Sequence, residues 1–359
     1  MNGKYNTALE FYTARARRAV IRSIIAPLVQ WSPLENPMTG YTVIVGCHGL
    51  LGPLLLANLE MLSRQNLDDV DRIVLVIDRP RSQLREDVED TACKRFSKLP
   101  LEFIYYSEWQ QRITNAFGWA WILSWLSWTI GIAGTRTKYV ILHDFDALLL
   151  NPNILQSRFQ LIQQRNHQYI GTRFYEGNGV LEWDCLAATY ELIFNVQYVR
   201  AHFRPIDLFN HVAIRNGRSM DYDTFLWAQH QHGIASVVPI DEEYMVHPSQ
   251  MICQFTELLQ RGRQPSRQTN LPMLSYFFEL GGESTLMLEH TQVLSASGVR
   301  EVPFFGRLHS LGRLSIEHAA WLRKQASRLE KSVHGEVRSH VSEYFDALDR
   351  VAKQNSKQS

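Results

Sequence analysis

Residues 139–146 read YVILHDFD, a stretch in which two aspartates follow an apolar run. Its apolar first half contains β-branched residues, which is typical of a buried strand. Asp144 and Asp146 follow at the carboxyl end of the strand, where open α/β sheets bind their ligands. Because side chains alternate along extended backbone, we expect both carboxylates to point away from Phe145 and to share one divalent cation, Mg²⁺ or Mn²⁺. Since diphosphate oxygens commonly complete such a shell, the stretch predicts a nucleotide diphosphate ligand.

Two further apolar runs give the order of the sheet. Residues 41–45 (YTVIV) and 72–77 (RIVLVI) each indicate a buried strand, and residues 54–62 between them indicate a helix. This order is typical of a parallel sheet, so the turns after the two strands should face one crevice. Asp78 is as consistent with a turn or a helix cap as with a ligand contact. The candidate ligand-binding residues of this crevice are Gly46, His48 and Asp78.

Composition narrows the class of protein. The chain has 359 residues, 45% of them hydrophobic, which is enough for a sizeable core. A formal net charge of +1 provides no field that would attract nucleic acid, so we expect no nucleic-acid partner. The four cysteines include no C-x-x-C pair, which argues against a zinc site or a disulfide framework and favours a cytoplasmic location.

Residues 115–135 carry no charge and are long enough to span a membrane. A span there would place the preceding strand and the strand at residues 139–143 on opposite sides of a bilayer. We therefore expect a helix buried against the sheet, which Gly131 and Gly134 end.

The ends of the chain differ from its middle. We expect a basic amphipathic helical extension at residues 1–40, a main α/β domain at residues 41–312, and a helical extension at residues 313–359 with disorder from Lys353 onward. The N-terminal helix should end before Pro27 or near residue 31. Its arginines are either solvated or in peripheral contact with an anionic membrane. The residues concerned are Arg15, Arg17, Arg18 and Arg22, beside Ile21, Ile24 and Ile25.

Asp221 and Asp223 precede a predicted helix from Thr224 to His232 that Gly233 closes. Both aspartates are candidates for capping that helix, and both are candidates for catalysis.

The order of these segments over residues 41–312 resembles the GT-A glycosyltransferases, which transfer a sugar from a nucleotide donor. The resemblance implies a Rossmann-like, mostly parallel central sheet flanked by helices, with a nucleotide-diphosphate sugar as donor and a hydroxyl group as acceptor. It implies that Asp78 lies near the donor base, Asp144 near the ribose and metal, and Asp146 on the metal. For inversion, Asp223 is our first choice of general base and Asp221 the second. For retention, the donor phosphate would take the proton and the two aspartates would position sugar hydroxyls.

Two departures leave the stereochemistry open. Where one inverting family has Asp-Asp-Gly-Ser, this chain has DRPRS at residues 78–82. Residues 309–312 (HSLG) resemble the H-x-x-G metal-ligand segment of a retaining family, without the Lys-Pro-Trp that usually follows it. His309 is accordingly a candidate third metal ligand. The alternative interpretation is that His309 is a surface histidine in a turn. His247 is the rival candidate for the ligand role.

Two other functions compete with glycosyl transfer. A sugar nucleotidyltransferase has a similar sheet, but residues 46–52 contain no Lys or Arg to hold a triphosphate. A non-catalytic protein that binds nucleotide sugars is the second alternative.

Overall fold

The computed structural model describes residues 2–84, 88–165, 167–231, 234–240, 243–296 and 298–357. Their helices are α1 Ala8–Ile25, α2 Gly52–Leu62, α3 Val88–Arg95, α4 Glu108–Phe117, α5 Ala120–Gly134, α6 Ile154–Arg165, α7 Val196–His202, α8 Leu226–Gln231, α9 Met251–Arg261, α10 Leu271–Gly281, α11 Thr285–Ser295, α12 Ile316–His334 and α13 Ser339–Ser356. Their strands are β1 Asn2–Gly3, β2 Met38–Cys47, β3 Val70–Ile77, β4 Leu101–Tyr105, β5 Thr137–His143, β6 Leu148–Leu149, β7 Tyr169–Gly171, β8 Glu191–Asn195, β9 His211–Arg215, β10 Arg218–Tyr222, β11 Ala235–Val237, β12 Met245–Val246, β13 Glu301–Phe304 and β14 Arg307–Ser310.

The chain divides into two compact units. The first comprises Met1–Leu50, Gln65–Phe145 and Asn151–Asp241. The second comprises Leu51–Arg64, Asp146–Leu150 and Glu242–Ser359. The boundaries at residues 40 and 312 that we expect from the sequence stay a prediction.

A seven-stranded sheet in the order β11-β7-β8-β5-β2-β3-β4 forms the centre of the first unit. The pairs β2/β3, β2/β5, β3/β4 and β11/β7 are parallel, whereas β8 runs antiparallel to both of its neighbours. The predicted α/β class with a mostly parallel central sheet is therefore confirmed. The apolar runs of β2, β3 and β5 are buried, as expected for strands that are covered on both faces.

Helices cover both faces of this sheet. On one face α5 packs so closely that a Cβ atom on Gly131 would lie 2.6 Å from the Ile44 side chain. On the other face Phe159 of α6 packs on Tyr41, with 4.9 Å between ring centroids. Most of the uncharged segment is thus a helix buried against the sheet, as predicted, but its first residues belong to the end of α4, and α5 begins only at Ala120. It ends at Gly134, but Gly131 lies inside it as a close-packing position. No helix in the described part of the chain is long and apolar enough to cross a bilayer.

Helix α1 confirms the predicted N-terminal helix and ends at Ile25, before Pro27. A capping box formed by Thr7 and Glu10 begins it. The expectation that its arginines are solvated is wrong for Arg18, which is buried because it pairs with a carboxylate of the first unit. Arg22 also turns inward, where its guanidinium donates to a backbone carbonyl.

The C-terminal helices α12 and α13 pack in the second unit and extend further than the sequence pattern predicts. Disorder from Lys353 onward is wrong as far as Ser356, because Val351, Ala352 and Asn355 are buried. The Asn355 amide donates hydrogen bonds to the carbonyls of Leu311 and Leu314. The last two residues of the predicted tail, 358 and 359, lie outside the described part.

Candidate functional site

The two aspartates that organise the sequence lie directly after β5. The strand ends at His143, and the chain then turns at residues 145 and 146. The sequence pattern predicts that strand alternation directs both carboxylates to one side. That reason is wrong, because the extended backbone ends before Asp144. Asp146 is 4% exposed, whereas Asp144 is half-buried.

A short strand pair brings His247 to Asp146 within the second unit. Strand β12 pairs antiparallel with β6 so that Val246 lies opposite Leu148, which places the residue after β12 beside the turn that precedes β6. His247 Nε2 lies 3.6 Å from Asp146 Oδ1. Together with Asp144, two residues earlier in the chain, these residues offer one ligand atom each, all within 4.8 Å of one another.

The chemistry of this group fits a divalent cation. Two carboxylates supply the oxygen ligands that hard cations prefer, and an imidazole is acceptable to Mn²⁺, while Mg²⁺ prefers oxygen. Two or three protein ligands leave positions for a substrate oxygen and water. The residues present therefore suit a metal of the Mn²⁺ type that remains open to a ligand.

A buried acid and histidine support the strand end that carries Asp144. His143 of β5 lies directly opposite Glu191 of β8, and its Nδ1 is 2.6 Å from a Glu191 carboxylate oxygen. Both side chains are buried. A buried charged or hydrogen-bonded pair of this kind fixes the register of its two strands, because separating the partners would leave polar atoms unpaired in the core.

The predicted crevice residues after β2 and β3 come together as the parallel order requires. The Asp78 carboxylate accepts a hydrogen bond of 2.8 Å from the Gly49 backbone N–H. His48 Nε2 lies 3.9 Å from the other carboxylate oxygen. Burial lowers the pKa of His48, and the attraction of Asp78 only partly opposes this effect. Arg79 lies against Gly49, so this turn has a neighbouring cation that its own sequence lacks.

Gly46 lies in β2 rather than in the turn that follows it. A Cβ atom at this position would lie 2.9 Å from Cβ of Ser127 in α5. Close approach of the helix to the strand is therefore a structural reason for glycine here, and a contact with ligand stays a prediction.

Asp221 lies in β10 and holds the N-terminal segment. Its carboxylate accepts hydrogen bonds of 2.9 and 3.1 Å from Arg18 and one of 3.1 Å from the Tyr5 hydroxyl. Burial raises the pKa of the Asp221 carboxyl, and the Arg18 charge opposes that rise. Asp221 is thus engaged in a buried ion pair with α1.

Asp223 lies just beyond β10 and is held differently. Its carboxylate accepts hydrogen bonds from the Thr224 backbone N–H at 2.7 Å and from the Asn210 amide at 3.2 Å. Burial raises the pKa of the Asp223 carboxyl despite these two bonds. A raised pKa makes a carboxylate a better proton acceptor at neutral pH, which suits a general base.

The helix after Asp223 is shorter than predicted. Helix α8 spans Leu226–Gln231, so residues 224 and 225 precede it. Positions 232 and 233, where the sequence pattern ends the helix, lie outside the described residues.

His309 lies in β14 of the second unit and is buried. Its Nδ1 lies 3.1 Å from the amide oxygen of Gln264, which can only accept, so Nδ1 carries the proton. Its Nε2 then accepts from the Thr269 hydroxyl at 2.9 Å. Burial lowers the pKa of His309 to about 4, so the ring is neutral at pH 7. The residue grouped with the aspartates is His247, the rival candidate; a metal-ligand role for either histidine stays a prediction.

Comparison with known proteins finds solved structures that are similar to this chain at low sequence identity and low TM-score. No protein-family model matches the sequence, and no curated protein matches it. The Staphylococcus aureus protein TarS (residues 1–349) is similar at 12% identity and a TM-score of 0.38, over 89% of this chain and 92% of TarS. TarS has also been solved in complex with UDP-GlcNAc, with a TM-score of 0.36. The galactosyltransferase LgtC, solved with donor and acceptor sugar analogs, is similar at 12% identity and a TM-score of 0.39 over 55% of this chain and 73% of LgtC.

Three side chains that contact or adjoin predicted site residues were not assigned from the sequence. Arg18 meets Asp221 across 203 positions of the chain. Glu191 is the first residue of an apolar segment. A single acid at such a position indicates that it has a buried partner, but not that this partner is His143. Arg79 follows Asp78 directly, and its guanidinium lies 3.7 Å from that carboxylate, next to the turn at Gly49.

Proposed function

We propose that this protein is a metal-dependent glycosyltransferase that moves a sugar from a nucleotide-diphosphate donor to a hydroxyl acceptor. The observation that carries the proposal is the convergence of Asp144, Asp146 and His247 after a central strand of a mostly parallel sheet. This is the place where α/β sheets bind ligands, and the ligand set suits a cation that binds diphosphate.

Asp146 and His247 would hold the cation, with Asp144 completing the protein ligands. A bound cation supplies Lewis-acid stabilisation of the negative charge that develops on the departing nucleoside diphosphate. Asp78 and His48 are the proposed contacts of the donor nucleoside, as the sequence resemblance implies. Burial lowers the pKa of His48, which favours the neutral form of the ring beside Asp78.

Asp223 is the proposed general base. In the inverting reaction, the acceptor oxygen forms a bond to the anomeric carbon while the bond from that carbon to the diphosphate oxygen breaks. The acceptor proton passes to the Asp223 carboxylate, and the diphosphate leaves with the bonding electron pair. The raised pKa of Asp223 supports this role, because a weakly basic carboxylate would accept the proton poorly. Asp221 is the second choice, since its carboxylate is engaged with Arg18.

A thermal-shift screen of nucleotide sugars, with and without Mn²⁺, tests the proposal. A ligand that binds only the folded state stabilises it by about 2.7 kcal/mol when present at about 100 times its dissociation constant. We expect the melting temperature to rise with a nucleotide sugar and Mn²⁺ together, and to rise much less with either alone. Equal shifts in the presence of a chelator, or no shift across uridine, guanosine and thymidine diphosphate sugars, would contradict the metal-dependent proposal.

The two competing functions are distinguished when nucleoside triphosphates are added to the screen and the products are assayed. A sugar nucleotidyltransferase would be stabilised by a nucleoside triphosphate and would release pyrophosphate when a sugar phosphate is added. The position of Arg79 against Gly49 gives this alternative a cation near the turn. A non-catalytic binder would show the shift with a nucleotide sugar without forming free nucleoside diphosphate.

A cytoplasmic location and peripheral contact with a membrane through residues 1–30 are separate proposals, because nothing in the transfer reaction requires them.

A further inference from the structure

Helix α1 has an inner face that fixes its rotation on the first unit. Phe11, Ile21 and Ile25 are buried on that face. Arg18 also turns inward and forms a buried ion pair with Asp221. Because one face is anchored by both apolar contacts and an ion pair, the opposite face of the helix is held outward.

The outward face carries apolar side chains. Leu9 is 78% exposed, Tyr12 and Val20 are each 59% exposed, and Ile24 is 45% exposed. At ~100° per residue these four positions fall within a stripe of roughly 120° on the helix, and the exposed Ala16 lies inside it together with two small polar residues, Thr13 and Ser23. We call Leu9, Tyr12, Ala16, Val20 and Ile24 the outer row. It runs for about 22 Å along the helix at ~1.5 Å per residue.

Positive charge borders the outer row on both sides. Arg15 and Arg17 are exposed, and the helical spacing places one at each edge of the row. Glu10 is the acidic residue of α1, and its carboxylate accepts hydrogen bonds from the backbone N–H groups of Asn6 and Thr7. That carboxylate is therefore committed to the helix start. The helix therefore carries four arginines against this single acid, which lies in its first turn.

Two tryptophan side chains lie beside α1, close to Arg17 and Arg18. The Arg17 guanidinium lies 4.4 Å from the centre of the Trp119 ring. Trp121 is 39% exposed and lies 5.1 Å from the Arg18 guanidinium. Tryptophan and tyrosine are the side chains that favour the boundary between headgroups and acyl chains. Tyr12 adds a third aromatic side chain of this type to the surface.

We propose that the outer row docks the first unit on an anionic lipid bilayer, with α1 lying in the plane of the membrane. An apolar stripe between arginine edges matches acyl chains below and negative headgroups beside it. The sequence alone suggests that the four arginines act together. The structure instead divides them into two pairs. Arg15 and Arg17 face the lipid, whereas Arg18 and Arg22 hold the helix to the protein.

Vesicle flotation of the full chain tests this surface, with phosphatidylcholine vesicles that contain or lack phosphatidylglycerol. Wild-type protein should float only with the anionic vesicles and less at high salt, because salt screens the arginines. Leu9→Gln/Val20→Gln should lose flotation, and Arg15→Gln should weaken binding about fivefold, the effect of one basic residue near an anionic surface. The matched controls are Leu288→Gln, an exposed apolar residue of α11, and Arg350→Gln, an exposed arginine of α13. Both should float like wild type.

Three results would overturn the proposal. The first is wild-type protein that fails to float with anionic vesicles, and the second is wild-type protein that floats equally well with and without phosphatidylglycerol. Equal flotation of wild type and Leu9→Gln/Val20→Gln is the third such result. Size-exclusion chromatography adds a fourth: a wild-type dimer that Leu9→Gln/Val20→Gln converts to monomer would assign the row to a second copy of the chain. Melting temperatures equal to wild type show that the variants are folded, as expected for substitutions at exposed positions.

Discussion

Asp146→Asn is expected to abolish Mn²⁺-dependent binding of a nucleoside diphosphate while the protein stays folded. The substitution keeps the shape of the side chain but removes a charged ligand from a site that has few. Asp146 is 4% exposed and lies 3.6 Å from His247, so water cannot easily replace its oxygen. Isothermal titration with a nucleoside diphosphate and Mn²⁺ measures the loss. Asp90→Asn, at an exposed position of α3, is the control. Wild-type affinity in Asp146→Asn would remove the metal assignment.

The same titration separates the two histidines. His247→Ala should raise the Mn²⁺ concentration at the titration midpoint, because His247 is the imidazole that lies with the aspartates. His309→Ala should leave the midpoint unchanged, since both of its ring nitrogens are engaged by Thr269 and Gln264. It should lower the melting temperature instead, because it empties a buried position. A shifted midpoint in His309→Ala alone would give the ligand role to His309.

Asp221→Asn is expected to destabilise the protein by about 3 kcal/mol, because it leaves the buried Arg18 guanidinium without a negative partner. Chemical denaturation of wild type and variant measures the difference. Asp346→Asn is the matched control, since Asp346 pairs with Arg323 near the surface, where an ion pair contributes about 1 kcal/mol or less. The double variant Arg18→Gln/Asp221→Asn should recover part of the loss, as no buried charge is then unpaired.

Stability and turnover together decide between the two aspartates. Asp223→Asn should retain most of the stability of the wild type, because its amide can still accept the hydrogen bond from Thr224. If Asp221→Asn kept full stability and lost turnover, Asp221 would be the base and its pairing with Arg18 would be incidental.

The strands were predictable because their apolar runs are long and sequential. Residues 41–45, 72–77 and 139–143 read as buried strands, and parallel order follows from the helices between them. The same pattern located both aspartates at a strand end. Strand β8 was not predictable as the antiparallel neighbour of β5, because its position depends on contacts such as Glu191 with His143 rather than on any local pattern.

The third member of the site was harder to predict for a physical reason. His247 reaches Asp146 through β12, which is two residues long and pairs with an equally short β6. Two residues carry no periodicity, so the sequence could offer His247 only as one of two candidates. Arg18 was beyond prediction in the same way. A helical pattern shows which residues share a face, but not which distant carboxylate that face will meet.

Turnover of a nucleotide sugar is the decisive test of metal-dependent glycosyl transfer by this protein. Purified wild-type protein and Asp223→Asn would be incubated with uridine, guanosine and thymidine diphosphate sugars, and the release of free nucleoside diphosphate measured with Mn²⁺ and with a chelator. We expect release by the wild type that requires Mn²⁺, and release by Asp223→Asn that is about a hundredfold slower at nearly unchanged donor affinity. Folded wild-type protein that releases no nucleoside diphosphate from any of these donors, or releases it equally in chelator, would contradict metal-dependent glycosyl transfer.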